Sequence, residues 1–296
     1  MRLAIATPRP DIAPYIALAR DYGVGIEIQV YGYNPGLLDG DWSSLVRQHR
    51  RLLEEFEGEI ALHGAFYDMS SASEDLQILR VTRERYLLNL RIAAELGARH
   101  VVFHANYLPW IRNAHYLQQW TQRQVAFWTE IGAEAERMGL VVALENMWEP
   151  SPDLIGRILD EVGSPVVRAC LDVGHAYLYS DSIPFTGWLA RLKKLLAHCH
   201  INNHRGIEDE HLPLDAPGGV VDYSSVLPLL WSLPAPPLIS LEMESLDDLE
   251  RSLRFVLEIS PDGKPSGSRR EAPSKGATDP SPRPVEPGPG IPEEVK

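Results

Sequence analysis

Six short, mostly apolar runs in this chain each end in a side chain able to bind a metal. They are IALH at His63, VVFH at His104, VVALE at Glu145, VRACLD at Asp172, LAHCH at His200 and LISLE at Glu242. Each is rich in Val, Ile, Leu and Ala and too short for a stable helix, the pattern of a strand buried on both faces. Longer helical segments lie between them. Strands and helices that alternate through a chain of this length predict an α/β fold, the (β/α)8 TIM barrel. In that barrel the active site forms at the C-terminal ends of the strands. A ring of His, Glu and Asp at those ends is therefore a metal site where this fold does its chemistry.

Eight strands are expected, over residues 3–7, 25–30, 59–63, 99–104, 140–146, 166–172, 197–202 and 238–243. A Gly/Pro/Asn-rich loop is expected over 31–40. A long helix over 74–96 has Ser73 as its N-cap and Gly97 just past its end. Successive strand residues face opposite ways. If Glu145 points into the barrel, so do Val141 and Ala143. By the same parity Val102 lies beneath His104, Cys170 beneath Asp172 and Ser240 beneath Glu242.

The last 36 residues differ from the rest. Residues 261–296 hold nine of the 24 prolines and no aromatic residue. Such a segment cannot bury enough apolar surface to offset its ordering entropy, so a disordered tail is expected after a single barrel domain over 1–260. The tail carries six basic and six acidic residues, which leaves 22 basic against 35 acidic in the barrel and places the whole net charge of −13 there. An acidic domain has no general attraction for DNA or anionic membranes, so nucleic acid is not an expected partner. The opening MRLAIATPRPD is too short and polar for a signal peptide, and no apolar run approaches the roughly 18 residues that span a bilayer. Cys170 and Cys199 both fall inside strands, where reduced, buried thiols fit a cytoplasmic protein. A homo-oligomer stays open.

Three further residues extend the strand-end set. His175 follows Asp172 in LDVGH, and Asp209 and His211 lie in IEDEH after the seventh strand. Nine candidate ligands result: His63, His104, Glu145, Asp172, His175, His200, Asp209, His211 and Glu242. For His63 alone a hydrogen-bonded core histidine is the plainer reading; its repetition at His104 turns both toward a ligand role. Carboxylates at the ends of apolar strands are rarely buried unless paired or metal-bound. Mixed imidazole and carboxylate donors suit Zn, Mn, Co or Fe better than Ca or Mg. His49, His100, His115, His198 and His204 are set aside; His198 shares the parity of His200 but lies toward the barrel bottom.

The ordered set His63, His104, ALEN ending at Asn146, LDVGH, CHINN, DEH and the LE of Glu242 resembles the AP endonuclease family 2, or xylose isomerase-like, TIM-barrel superfamily over roughly residues 1–258. In its endonuclease IV branch the nine matching residues bind three zinc ions. In its sugar isomerase and epimerase branch, positions matching Glu145, Asp172, His200 and Glu242 bind one divalent ion, the two glutamates pass protons, and the match of His175 touches substrate. HLPLD near residue 213 is similar to a stretch of that branch, with Asp215-Ala216-Pro217 interrupting the usual form.

Two reactions follow from the resemblance. The first is isomerisation or epimerisation of a sugar or sugar phosphate through a metal-stabilised enediolate, with Glu145 and Glu242 as the catalytic pair and one ion, Mn, Co or Zn. The second is hydrolysis of a phosphoester with two or three Zn ions. A third reading, a barrel that binds a metal or sugar without turning it over, fits a complete ligand set poorly. The isomerase ranks first. Candidate substrate contacts are His175, Asn146, Arg205, Trp110 and Trp148, with Arg205 placed to hold a phosphate or carboxylate. Deleting residues 261–296 is expected to leave the melting temperature and any activity unchanged, checked by thermal denaturation of the truncated chain; a drop of several degrees would reveal a docked segment.

Overall fold

A computed structural model describes residues 1–260 apart from 112 and 181; the expected tail lies outside the described residues. Eight parallel strands close into a barrel, each paired with its sequence neighbours and the last with the first. They are β1 (Leu3–Thr7), β2 (Gly25–Ile28), β3 (Ile60–His63), β4 (His100–His104), β5 (Val141–Glu145), β6 (Val167–Asp172), β7 (Leu196–Ile201) and β8 (Leu238–Leu241). Nearly every strand residue is buried, because the barrel packs its own interior on one face and the helices cover the other.

The outward faces and the helices share one large apolar core, in which Tyr86 stacks on Phe103 at 4.1 Å between ring centroids. The interior holds two small separate clusters. Ala4, Ala61 and Leu238 form one, and Val102, Ala143 and Cys170 form the other. The second is the layer that strand parity placed beneath His104, Glu145 and Asp172. Small side chains there leave room for the polar groups above them.

Register explains how side chains from different strands meet. His104 pairs with Glu145 across β4 and β5, and Asp172 with His200 across β6 and β7. An irregularity between Ala169 and Cys170 takes up one extra residue of β7. It brings Cys170 and Asp172 level with His198 and His200.

Two local expectations need correction. The segment after β2 is not an irregular loop: Val30–Tyr33 and Pro35–Asp39 are short helices, the second capped by Asn34, whose side chain accepts from the Leu37 amide. Pro at the first helical position suits such a start. The long helix Leu76–Leu96 is capped by Asp75 rather than Ser73, since the Asp75 carboxylate reaches two backbone amides. Ser73 instead accepts from the Asp75 amide, one step earlier. Gly97 ends that helix at φ 74°, as expected.

Gly25, at the base of β2, has no space for a side chain: an added Cβ would lie 2.3 Å from the Glu59 carbonyl oxygen. Because that obstacle is backbone, the strand itself must shift. Gly25→Ala is expected to destabilise the barrel by about 1–3 kcal/mol, measured by chemical denaturation; an unchanged unfolding midpoint would contradict the packing described.

Candidate metal centre

All nine candidate ligands converge at the C-terminal mouth of the barrel. Glu145 stands at the centre. Its Oε1 lies 3.1 Å from His200 Nδ1, and its Oε2 lies 3.1 Å from His104 Nε2 and 3.3 Å from His63 Nε2. Glu242 Oε2 approaches the same His200 nitrogen at 3.4 Å. On the far side, His175 Nε2 and His211 Nε2 meet one oxygen of Asp209 at 3.0 and 3.2 Å. Among the described residues, five overlapping groups each present three donor atoms close enough to share one ion: His63–Glu145–His200, Asp172–His200–Glu242, Glu145–Asp172–His175, His175–Asp209–His211 and, deeper, Glu27–His198–His200.

LDVGH owes its order to the turn it makes. Asp172 closes β6 and caps the helix Val173–Tyr179 by accepting from the His175 amide at 2.6 Å. A turn-and-cap role and a ligand role therefore coexist in one carboxylate. Gly174 is required because an added Cβ would strike the Asn202 side chain, 2.4 Å away. Asn146 ties the adjoining strands, donating to the Asp172 carbonyl and accepting from its amide.

Hydrogen bonds at the rear of the rings decide what the front can do. His63 Nδ1 lies 2.9 Å from the Gly64 carbonyl, and His175 Nδ1 lies 2.9 Å from the Asn146 carbonyl. A carbonyl only accepts, so both rings carry a proton on Nδ1. In the neutral rings Nε2 is then a bare lone pair, yet in each case it faces a carboxylate oxygen, Glu145 for His63 and Asp209 for His175. Two lone pairs in such close contact need a cation between them. A proton serves when no ion is bound; a divalent metal serves better, and metal-binding histidines commonly anchor their other nitrogen in this way. The residues present fit a metal.

The titration directions agree with that charge balance. Burial opposes charge on His175 and His200, but Asp172 and Asp209 hold His175, and Cys170 with Glu242 and Glu27 hold His200, well above the usual histidine range. His211 is lifted to about 9 against burial by its bond to Asp209. Burial also opposes ionisation of Glu145, and His200 and His104 overcome it to hold the carboxyl well below its ordinary value. Asp172 is the exception. Burial and the nearby Glu145, Glu242 and Asp209 push it up to about 7, His175 only partly offsetting them.

The remaining sequence candidates are placed less centrally. Trp110 is 74% exposed on its loop. Trp148 is half-buried and bonded to Tyr179. Arg205 is exposed and engaged by Glu210, which also accepts from the Arg205 amide. Asn146 is buried beside Asp172. Of the histidines set aside, His49 bonds to Tyr31 and His204 to the Gly174 carbonyl, both as structural side chains.

Sequence reasoning passed over three residues. Glu27 and Gln29 sit in GIEIQ, where alternation puts them on the Gly25 face, toward the interior; attention to strand ends alone misses a carboxylate in mid-strand. Glu27 is fully buried, with Oε2 3.1 Å from His200 Nε2. Gln29 donates to both Glu27 and Glu242. Glu149 is also buried, its carboxyl pushed up to about 7 by burial, and no signal in the sequence separates it from a loop glutamate.

The family model for the xylose isomerase-like TIM barrel matches residues 16–259, and the chain belongs to that family. Among curated proteins, the uncharacterized protein MJ1311 of Methanocaldococcus jannaschii is 26% identical over 213 residues, 70% of this chain and 72% of that one. Among solved structures, the TTHB071 protein of Thermus thermophilus, soaked with ZnCl2, superposes with a TM-score of 0.75 at 26% identity, covering 89% of this chain and all of that one. A D-tagatose 3-epimerase-like protein gives 0.74 at 21% identity, with 88% and 97% covered. D-allulose 3-epimerase from Methylomonas sp., in complex with D-allulose, gives 0.69 at 18%, with the same coverage. The last two share the fold.

Stripping the protein with a chelator is expected to lower its melting temperature, and returning Mn, Co or Zn to raise it, because an ion that binds only the folded state stabilises by about 2.7 kcal/mol at a hundredfold excess over Kd. Scanning calorimetry with and without each metal checks this; identical curves would contradict a metal site.

Proposed function

We propose that this protein is a divalent-metal-dependent isomerase or epimerase acting on a sugar or sugar phosphate. The observation that carries the reading is the placement of Glu145 and Glu242. Both approach His200 Nδ1, at 3.1 and 3.4 Å, from different strands. Glu242 also lines an open pocket of about 460 Å³, within the range of small-molecule sites. A bound ion would polarise a substrate carbonyl and acidify the neighbouring C–H. Within that frame one glutamate takes the proton from carbon and the other delivers a proton from the opposite side. Gln29 holds Glu242 by donating to its Oε1. Tyr33 and Tyr67 line the same pocket and offer aromatic faces to a sugar ring. Arg9, rather than Arg205, is the arginine in that lining, so Arg9 is the partner for a phosphate if the substrate carries one. The naming of same-fold proteins as sugar 3-epimerases accords with this reading.

A second reading is favoured by one specific feature. His63 and His104 both approach the oxygen of Glu145 that faces away from His200, and His175, Asp209 and His211 form a separate triad. Neither group is needed around a single ion. Together they supply donors for two or three ions, the number a phosphoester hydrolase uses to activate water and stabilise the leaving oxygen.

Metal count and product decide between them. The expected result is one tightly held ion per chain by elemental analysis, with ketose epimerisation or isomerisation that incorporates solvent deuterium at carbon. Two or three ions with cleavage of a phosphoester or an abasic DNA duplex would reverse the order. Glu145→Gln and Glu242→Gln are each expected to cut turnover by about 10²–10⁴-fold while circular dichroism stays unchanged; full activity in either would sink both readings.

A further inference from the structure

In the polar layer beneath the candidate metal centre, Glu27 takes no part in the roles assigned so far. Glu27, in mid-β2, is fully buried. One of its oxygens, Oε2, faces two rings of β7: His200 Nε2 at 3.1 Å and His198 Nε2 at 2.7 Å. The contact to His198 is short but off the line of an ideal hydrogen bond. The other oxygen accepts from Gln29 Nε2 at 3.2 Å. His198 is held from behind, its Nδ1 3.2 Å from His100 Nδ1 in the layer below. Gln29 cannot be turned round, because the Tyr33 hydroxyl donates to its Oε1 and its amine faces two carboxylates.

We propose that Glu27 and Gln29 are positioning residues for the metal centre. Glu27 holds the His200 ring with its proton on Nε2, so that Nδ1 presents a lone pair to the space among Glu145, Asp172 and Glu242. Gln29, just past the end of the same strand, fixes the Glu242 carboxylate. The reasoning is one of hydrogen-bond direction. His200 lies between carboxylates on both sides, so a neutral ring must choose which nitrogen keeps the proton. Glu27 is fully buried, and its ionised carboxylate can only accept from His200. The Nε2 proton therefore stays, and Nδ1 is the nitrogen that becomes free. Donation of a ligating histidine's second N–H to a carboxylate orients the ring and raises its basicity. Here the carboxylate is delivered by a strand on the opposite arc of the barrel. This inference rests on the metal-centre reading but not on either reaction.

Cobalt is the probe. The wild-type chain and Glu27→Gln, which keeps the shape but removes the charge, are titrated with Co²⁺ by calorimetry, and the visible spectrum of each cobalt form is recorded. Glu27→Gln is expected to weaken Co²⁺ binding by about 10–100-fold and to shift the ligand-field bands, with Glu27→Asp recovering part of the affinity. A merely structural role would move the melting temperature and leave the spectrum of the bound ion alone. Equal affinity and an identical spectrum in Glu27→Gln would overturn the inference while leaving the metal reading in place. A wild-type chain that binds no cobalt would overturn both. Nitrogen-15 spectra of the zinc-loaded wild type provide a test independent of any variant: His200 is expected to carry its proton on Nε2, and a proton on Nδ1 would refute the assignment.

Discussion

Buried carboxylates must be matched by positive charge, which at the mouth of this barrel protonated histidines or a bound ion can supply. Glu145, Asp172, Asp209 and Glu242 crowd a space in which every histidine ring has already committed one nitrogen or stands against an acid. Water cannot relieve the crowding, since Glu145 and Asp172 are closed off from solvent. Asp172 shows the cost, driven up toward neutrality by burial and its neighbouring carboxylates although a histidine adjoins it. Most of the arrangement can be understood from this one need. Rear hydrogen bonds to carbonyls keep lone pairs forward, small residues beneath the ring leave space, and a register irregularity in β6 levels Asp172 with His200.

Much of this was legible in the chain. Strand ends were readable because a polar residue that stops an apolar run is physically costly unless it has a partner, and six such stops in sequence order define one end of a barrel. Parity read the layer below, since Val102, Ala143 and Cys170 do form one interior cluster. What stayed hidden had no local signature. The helical turns after β2 depend on Asn34 and on packing against the segment after β3. Glu27 is a single acid inside GIEIQ, and its significance depends on His198 and His200, far along the chain on β7. Arg9 and Arg205 look alike in sequence; only the fold shows that Glu210 engages one and that the other borders the pocket.

The site accommodates two chemistries because they share their centre. Under either proposal the same four residues, Glu145, Asp172, His200 and Glu242, would hold a single ion that activates a carbonyl or the middle member of a larger cluster that activates water. His63 and His104 on one flank and His175, Asp209 and His211 on the other are what the second chemistry adds. His211 sits on a loop in a left-handed conformation, φ 49°, a position that a non-glycine residue holds only when its surroundings impose it. The antiparallel bridge between Asn203 and Leu212 closes that loop.

The polar layer around Glu27 also bears on how such a protein can change over generations. Glu27, His198 and His200 lie on strands, whereas Arg9, Tyr67 and Asp209 sit on connecting segments. Loops tolerate insertion and replacement far better than strands do. A lineage can therefore remodel the segments that meet the substrate while the apparatus that aims His200 is inherited intact from below. Selectivity and reactivity would then drift at different rates, and a mutation in mid-β2 would weaken metal binding in every member of such a lineage alike, whatever compound each had come to accept.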